Sequence, residues 1–157
     1  MKIVVNSLSL FNNKHNLKYG FKLRCGGVKA NMFPEIELIA NAILECIKYN
    51  IPMKFTAGLH HPIRHYNDSV QTKMNGFFNI FLGGMIAKKY KLECDKLIEI
   101  LMDESAENFK FERDCFIWKK FNLTNKEIEQ FHEENFISYG SCSFNEPRED
   151  LTNLGIF

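Results

Sequence analysis

Three segments of the chain end on glycine directly after basic or hydroxyl-bearing residues. They are Lys22-Leu23-Arg24-Cys25-Gly26-Gly27, Lys54-Phe55-Thr56-Ala57-Gly58 and Ser138-Tyr139-Gly140-Ser141-Cys142-Ser143. Lysine and arginine bind phosphate and carboxylate groups, and a lysine beside other cations can form a Schiff base with a carbonyl. We therefore predict Lys22 and Lys54 as catalytic residues and Arg24 as an anion ligand.

Small residues at the same segment ends are predicted to complete the anion site. Backbone N–H groups in glycine-rich turns, and those at the start of a helix, can hold an anion. The predicted binding residues besides Arg24 are Gly26, Gly27, Thr56, Gly58, Gly140, Ser141, Cys142 and Ser143. An ordinary cap of the helix that follows is the alternative for the 140–143 loop.

The densest histidine cluster, formed by His60, His61 and His65, follows the second of these segments. We predict His60 and His61 as general acid or base groups, since histidine exchanges protons near neutral pH. Hydrogen-bonded loop histidines are the alternative. A metal held with Cys25 or Cys142 stays open, but no ligand spacing supports it, so we predict neither a metal nor a cofactor.

The five cysteines are odd in number and show no CxxC spacing. With an N-terminal apolar stretch too short for a signal peptide, this pattern predicts free thiols and a cytoplasmic location. Cys25 and Cys142 are interpreted either as nucleophiles near a histidine or as small packing residues in tight turns. The formal net charge of +1 and the lack of a membrane-length apolar run predict no nucleic-acid or membrane partner.

Apolar periodicity and turn residues predict a strand–helix–strand unit in the first third of the chain. Residues 21–25 and 51–57 alternate as strands, and the helix between them begins at Pro34 and ends at Asn50. A connection of this length implies a parallel, right-handed crossover. The remaining predictions are strands at 1–5 and 136–139, connections at 7–20 and 60–68, an ambiguous segment at 109–118, and helices at 71–90, 94–102, 124–134 and 145–155.

The long helix predicted over 71–90 carries Asn75 and Asn79 one turn apart among apolar residues. A buried asparagine needs hydrogen-bond partners. We expect these two either to bond the neighbouring strand loops or to cap the helix.

Alternation places Lys22 and Arg24 on one face of the first strand, and Lys54 and Thr56 on the corresponding face of the second. Parallel strands are usually apolar on both faces because helices cover both. Basic residues on one shared face therefore indicate a binding surface. The alternative is an open sheet face where these side chains are only solvated.

The order of elements predicts a single α/β domain over residues 1–157, with parallel strands and crossover helices. A complete eight-stranded (βα)8 TIM-type barrel takes about 250 residues. The chain is long enough only for the C-terminal half of such a barrel, which is the architecture that we predict. Open strand edges also predict a homodimer, or a partner half barrel, that covers the edge at residues 1–5.

The K-x-x-x-G, K-x-x-x-G, G-x-S order of the three segments resembles the last strands of class I aldolases of the deoxyribose-phosphate aldolase type. That resemblance implies that Lys22 is the Schiff-base residue, that Lys54 is its partner, and that Gly140 and Ser141 belong to a phosphate loop. The sequence departs from the family at Leu23-Arg24-Cys25, where the aldolases have Thr-Ser-Thr.

Four longer motifs resemble the C-terminal half of an uncharacterised bacterial protein family. They are RCGGV (24–28), TAGLHHP (56–62), NGFFN (75–79) and GSCSFNEP (140–147). The family has no established activity, so this resemblance implies membership rather than a reaction.

Together these observations predict a small-molecule enzyme, or enzyme half, that acts on a carbonyl- or phosphate-bearing anionic substrate. In this hypothesis Lys22 and Lys54 bind or activate the substrate, Arg24 anchors its anion, and His60 or His61 moves protons. The alternative is a non-catalytic module that binds small anions or completes the barrel of a partner.

Overall fold

The computed structural model describes residues 1–156 and contains six α-helices and eight short strands within them. The strands are β1 (Phe21–Arg24), β2 (Met53–Thr56), β3 (His65–Asn67), β4 (Thr72–Met74), β5 (Phe109–Phe111), β6 (Cys115–Trp118), β7 (Phe121–Thr124) and β8 (Phe136–Gly140). The helices are α1 (Lys2–His15), α2 (Ile36–Lys48), α3 (Gly83–Tyr90), α4 (Cys94–Met102), α5 (Asn125–Glu134) and α6 (Asn145–Asn153), with a π-helical turn at Phe78–Leu82 before α3.

The central sheet is parallel and has the strand order β1-β2-β8. Its two faces differ, as the alternation predicted: Leu23 and Phe55 point into the core, whereas Lys22, Arg24 and Lys54 are exposed. The α/β class with parallel strands and a crossover helix is thereby confirmed.

Helix α2 forms the crossover between β1 and β2 and packs against α1, α3 and α4. Its buried stripe follows helical spacing from Ile36 through Ile39 and Ile43 to Cys46, so one face of the helix covers the core. Ile47, one turn after Ile43, is only partly buried. Helix α4 buries Leu97, Ile100 and Leu101 in the same way.

Residues 109–124 form the antiparallel sheet β5-β6-β7, which gives the ambiguous segment at 109–118 a strand structure. Trp118 is buried there, and its indole N–H donates to Asp103 at 2.9 Å. Helix α5 then begins with a capping box, in which the Thr124 hydroxyl accepts from the Glu127 N–H and the Glu127 carboxylate accepts from the Thr124 N–H.

The prediction for the N-terminus is wrong, because residues 2–15 form helix α1 rather than a strand and a connection. Val5, Leu8 and Asn12 are spaced three and four residues apart and share the side that packs on the protein, which is a helical period. The apolar run of residues 3–5 suggested a strand because β-branched residues favour strands. The strand edge that we expected a partner to cover therefore does not exist.

The long helix predicted over 71–90 is also wrong in its first part, where β3 and β4 form a hairpin that also replaces part of the predicted 60–68 loop. Gly76 lies between this hairpin and the helix. A larger residue would not fit there, because its Cβ atom would clash with the Pro62 carbonyl oxygen.

Within residues 1–156, no helix is both long and apolar enough to cross a membrane.

Candidate functional site

The carboxyl ends of β1, β2 and β8 border one pocket of about 360 Å³. Parallel strands end at the same edge of a sheet, where α/β proteins usually hold their ligands. The pocket is lined by Arg24, Gly27, Val28, Ala57, Gly58, His60, Gly140, Ser141 and Cys142. All three glycine-ended segments contribute to it, so the structure brings together most of the residues predicted from the sequence.

The backbone after β2 is held in a rare conformation. Ala57 and Gly58 both have positive φ, of 64° and 71°, and a non-glycine residue in the left-handed region costs roughly 1–2 kcal/mol. A Cβ atom at Gly58 would lie 3.0 Å from the Gly26 Cα. Gly26 thus lies behind the pocket wall and permits this close approach, while Gly27 lines the pocket itself.

Arg24 is the cation of the pocket. Its Nε donates to the Gly26 carbonyl at 2.8 Å, which directs the guanidinium across the strand end. Lys22 and Lys54 are Cα partners one step back on the same exposed face, and the pocket lining does not include them. Among residues 1–156, none of these three cations forms an ion pair with a carboxylate.

Thr56 does not line the pocket either, although it lies on the same face. Its hydroxyl donates across the sheet to the Leu23 carbonyl at 3.5 Å. Thr56 therefore connects β2 to β1 next to the pocket and is not part of the pocket lining.

His60 is half-buried between β2 and the loop before α6. Its Nδ1 lies 2.9 Å from the Ser141 hydroxyl and 3.3 Å from a carboxylate oxygen of Glu146. The Cys142 Sγ lies 3.7 Å from the Nε2 of the same ring. A titratable imidazole, a thiol and a carboxylate thus lie in contact at the pocket.

The Gly140–Ser143 loop also caps the last helix. The Ser141 hydroxyl accepts from the Ser143 N–H at 3.2 Å, and the Ser143 hydroxyl accepts from the Glu146 N–H at 3.1 Å. Ser143 therefore caps the helix, as the alternative interpretation of this loop expected, whereas Gly140, Ser141 and Cys142 line the pocket.

His61 lies in a different environment from His60. Its Nδ1 is in contact with the Asp150 carboxylate of α6, and its ring meets that of His65 edge-on at 4.2 Å between centroids. Both histidines line a second cavity of about 350 Å³ with Arg64 and Glu104. His60 and His61, predicted for one role, thus lie in separate pockets.

Asn75 and Asn79 bond the surrounding loops, as one of the two sequence interpretations expected. Asn75 donates to the Cys25 carbonyl at the end of β1 and accepts from the Arg64 guanidinium. Asn79 accepts from the Arg64 N–H and donates to two carbonyls at the end of α4. Burial lowers the pKa of Arg64, and Glu104 offsets part of that effect. These bonds fix the loop that carries both pocket histidines.

The structure separates the two cysteines that the sequence left as candidates. Cys25 is fully buried, and this burial raises its pKa to about 12, which is typical of an inert packing residue. Cys142 is exposed. No group of three or more His, Cys, Asp or Glu side chains within residues 1–156 is arranged to hold a metal ion.

Glu146 and Asp150 were not among the residues predicted from the sequence. These carboxylates are four residues apart on α6, so they share one helix face, and each contacts one of the adjacent histidines. Their i, i+4 spacing in a predicted helix after the glycine–serine loop was the available signal.

Fold and site together define an α/β chain with a basic pocket at the carboxyl ends of a parallel sheet. Comparison of the chain with protein-family models, with curated proteins and with solved structures gives no match.

Proposed function

We propose that the chain binds a small anionic molecule in the strand-end pocket and acts on a carbonyl or phosphoryl group next to the bound anion. The observation that carries this proposal is Arg24, which lines the pocket without a carboxylate partner among the described residues. An exposed guanidinium held in place by a backbone carbonyl is suited to bidentate binding of phosphate or carboxylate.

His60 is the proton-transfer group of this proposal. The Ser141 hydroxyl is hydrogen-bonded to Nδ1 at 2.9 Å, and the Glu146 carboxylate, 3.3 Å away, favours the tautomer with the proton on that nitrogen because of its negative charge. The free Nε2 can then accept a proton from the substrate or from a nucleophile. A pocket of about 360 Å³ suits a compact phosphate- or carboxylate-bearing molecule.

Thermal unfolding with inorganic phosphate, sulfate and a sugar phosphate tests anion binding. A ligand present at about 100 times its dissociation constant adds about 2.7 kcal/mol, which raises Tm by roughly 5 to 10 °C for a chain of this length. We expect Arg24→Gln to abolish the shift. Arg113→Gln is the matched control, since Arg113 is an exposed arginine in the turn between β5 and β6. Equal shifts in the two variants would contradict the proposal.

Schiff-base chemistry at Lys22 or Lys54 is a second candidate reaction, favoured by the pairing of these lysines across β1 and β2. The amine of one would condense with a substrate carbonyl while the second cation stands beside it. Incubation with pyruvate and sodium borohydride would then add the mass of the reduced adduct to one lysine. Lys54→Met and Lys22→Met each test the assignment, and an adduct spread over many surface lysines would contradict it.

The alternative function, a module that binds anions or completes a partner's half barrel, is supported by what the fold leaves uncovered. The basic sheet face is open, and α1 exposes Ile3, Leu10 and Phe11. Half of a (βα)8 barrel would bury such surfaces against a second half, in a homodimer or with another chain. Sedimentation at micromolar concentration tests this, and a stable monomer without a partner would argue against it. The five free thiols fit the cytoplasmic location that we propose with either function.

A further inference from the structure

We propose that Cys142 is a nucleophile activated by His60, with Glu146 as a positioning residue, and that the pocket catalyses acyl transfer through a thioester on Cys142. This inference rests on the proposed function and makes it specific. The substrate class is an ester or thioester whose acyl part or leaving group carries the anion that Arg24 binds.

The contacts place the three groups in the order that thiol activation requires. A Glu146 carboxylate oxygen lies 3.3 Å from His60 Nδ1, and Cys142 Sγ lies 3.7 Å from His60 Nε2. The Ser141 hydroxyl, 2.9 Å from Nδ1, can accept its proton, and the nearby carboxylate favours a proton on that nitrogen. Nε2 then presents its lone pair to the thiol.

The thiol lies almost equally far from both ring nitrogens, 3.8 Å from Nδ1 and 3.7 Å from Nε2. A rotation of the Cys142 side chain is therefore needed to bring the S–H in line with Nε2. Such loose geometry is common in catalytic sites without substrate. Cys142 is exposed, so this rotation meets no packed core.

The other cysteines do not share this environment. Burial raises the pKa of both Cys25 and Cys46 to about 12, and burial also raises the pKa of Cys94. Cys115 lies in β6, and its Sγ lies 3.9 Å from the Glu112 carboxylate. Only a thiolate attacks efficiently, so the neighbouring imidazole and the pocket position set Cys142 apart among them.

The reaction balances without an oxidant or reductant. His60 Nε2 takes the thiol proton while Sγ bonds to the acyl carbon. The bond from that carbon to the leaving oxygen or sulfur then breaks, and the leaving group receives the proton from Nε2. Water next attacks the thioester with His60 as base, the Sγ–carbon bond breaks, and the thiol recovers its proton. The products are a carboxylic acid and an alcohol or thiol.

The test uses p-nitrophenyl acetate as a neutral acyl donor and follows nitrophenolate release together with intact-protein mass. We expect one acetyl group per chain, located on Cys142 by peptide mapping and lost in Cys142→Ser. Cys115→Ser is the matched control and should acetylate as the wild type does.

Histidine and carboxylate variants test the assigned roles. His60→Gln should slow acetylation by about a hundredfold, within the usual range for loss of a general base. Glu146→Gln should slow it less and move the pH profile of iodoacetamide alkylation of Cys142, whereas Glu146→Asp should restore that profile. Circular dichroism confirms folding of each variant before rates are compared.

The outcomes separate this inference from the proposed function. Acetylation at equal rates on Cys94, Cys115 and Cys142, or an unchanged rate in His60→Gln, overturns the nucleophile even if phosphate still raises Tm. Loss of the phosphate shift in Arg24→Gln tests the anion site separately from the nucleophile. Acetylation of Cys142 without any phosphate shift would instead remove the anion-binding proposal and leave the nucleophile standing.

Discussion

Replacing Asn79 by alanine should destabilise the protein strongly, because this fully buried side chain connects three segments. Its Oδ1 accepts from the Arg64 N–H at 2.9 Å, and its Nδ2 donates to the carbonyls of Ile100 and Asp103 at 2.8 and 2.7 Å. The Ile100 carbonyl also accepts from the Asp103 N–H, so Asn79→Ala leaves two backbone groups without a partner. At about 1–3 kcal/mol for each unsatisfied group, the loss is about 2–6 kcal/mol.

Urea unfolding followed by circular dichroism measures this loss, which is a large part of the stability of an ordinary domain. Asn41→Ala is the matched control, since the Asn41 side chain is exposed and donates to the Glu37 carbonyl within α2. It should change the free energy of unfolding by less than about 0.5 kcal/mol. An equally small change in Asn79→Ala would refute the account of the loop that carries the pocket histidines.

Three further predictions follow from the pocket and its surroundings. Gly58→Ala should lower the free energy of unfolding by about 1–3 kcal/mol and weaken anion binding, because φ is +71° and the new Cβ would lie 3.0 Å from the backbone. Gly140→Ala is the control and should be tolerated, since its new Cβ would lie 3.9 Å from the nearest neighbour. Equal unfolding free energies in the two variants would contradict this prediction. Cys25 and Cys46, whose pKa values burial raises to about 12, should react with Ellman's reagent only on unfolding, so rapid native reaction would contradict their placement. Burial lowers the pKa of His65 below its usual 6.5. The contribution of the neutral ring to folding stability is therefore complete above pH 6.5 and is lost as the pH falls through the folded pKa. His65→Gln should flatten that part of a plot of Tm against pH, and an unchanged plot would contradict this prediction.

The sequence allowed prediction of those elements whose signals are local. The β1-α2-β2 unit, the capping box at Thr124 and the strand at β8 follow from periodicity and turn residues within a few positions. Helix α1 was not predicted because the apolar run at its start is typical of a strand. The helix is favoured by the packing of Val5 on the core, which a local pattern does not show.

The candidate site was partly predictable for the same reason. Glycine-ended strands placed Arg24 and Gly58 correctly at one edge, because parallel strands must end together. The contacts of His60 depend on residues far along the chain: Ser141, 81 positions away, reaches the ring only once β8 lies beside β2. No local pattern separates His60 from His61, and the two lie in different pockets because their partners on α6 differ.

A phosphate titration followed by amide NMR tests the central claim most directly. We expect saturable shifts at Gly27, Gly58, Gly140 and Ser141, which line the strand-end pocket, and no such shifts in Arg24→Gln. Shifts spread weakly over surface lysines, or confined to the second cavity around Arg64, would contradict the assignment of the strand-end pocket as the functional site.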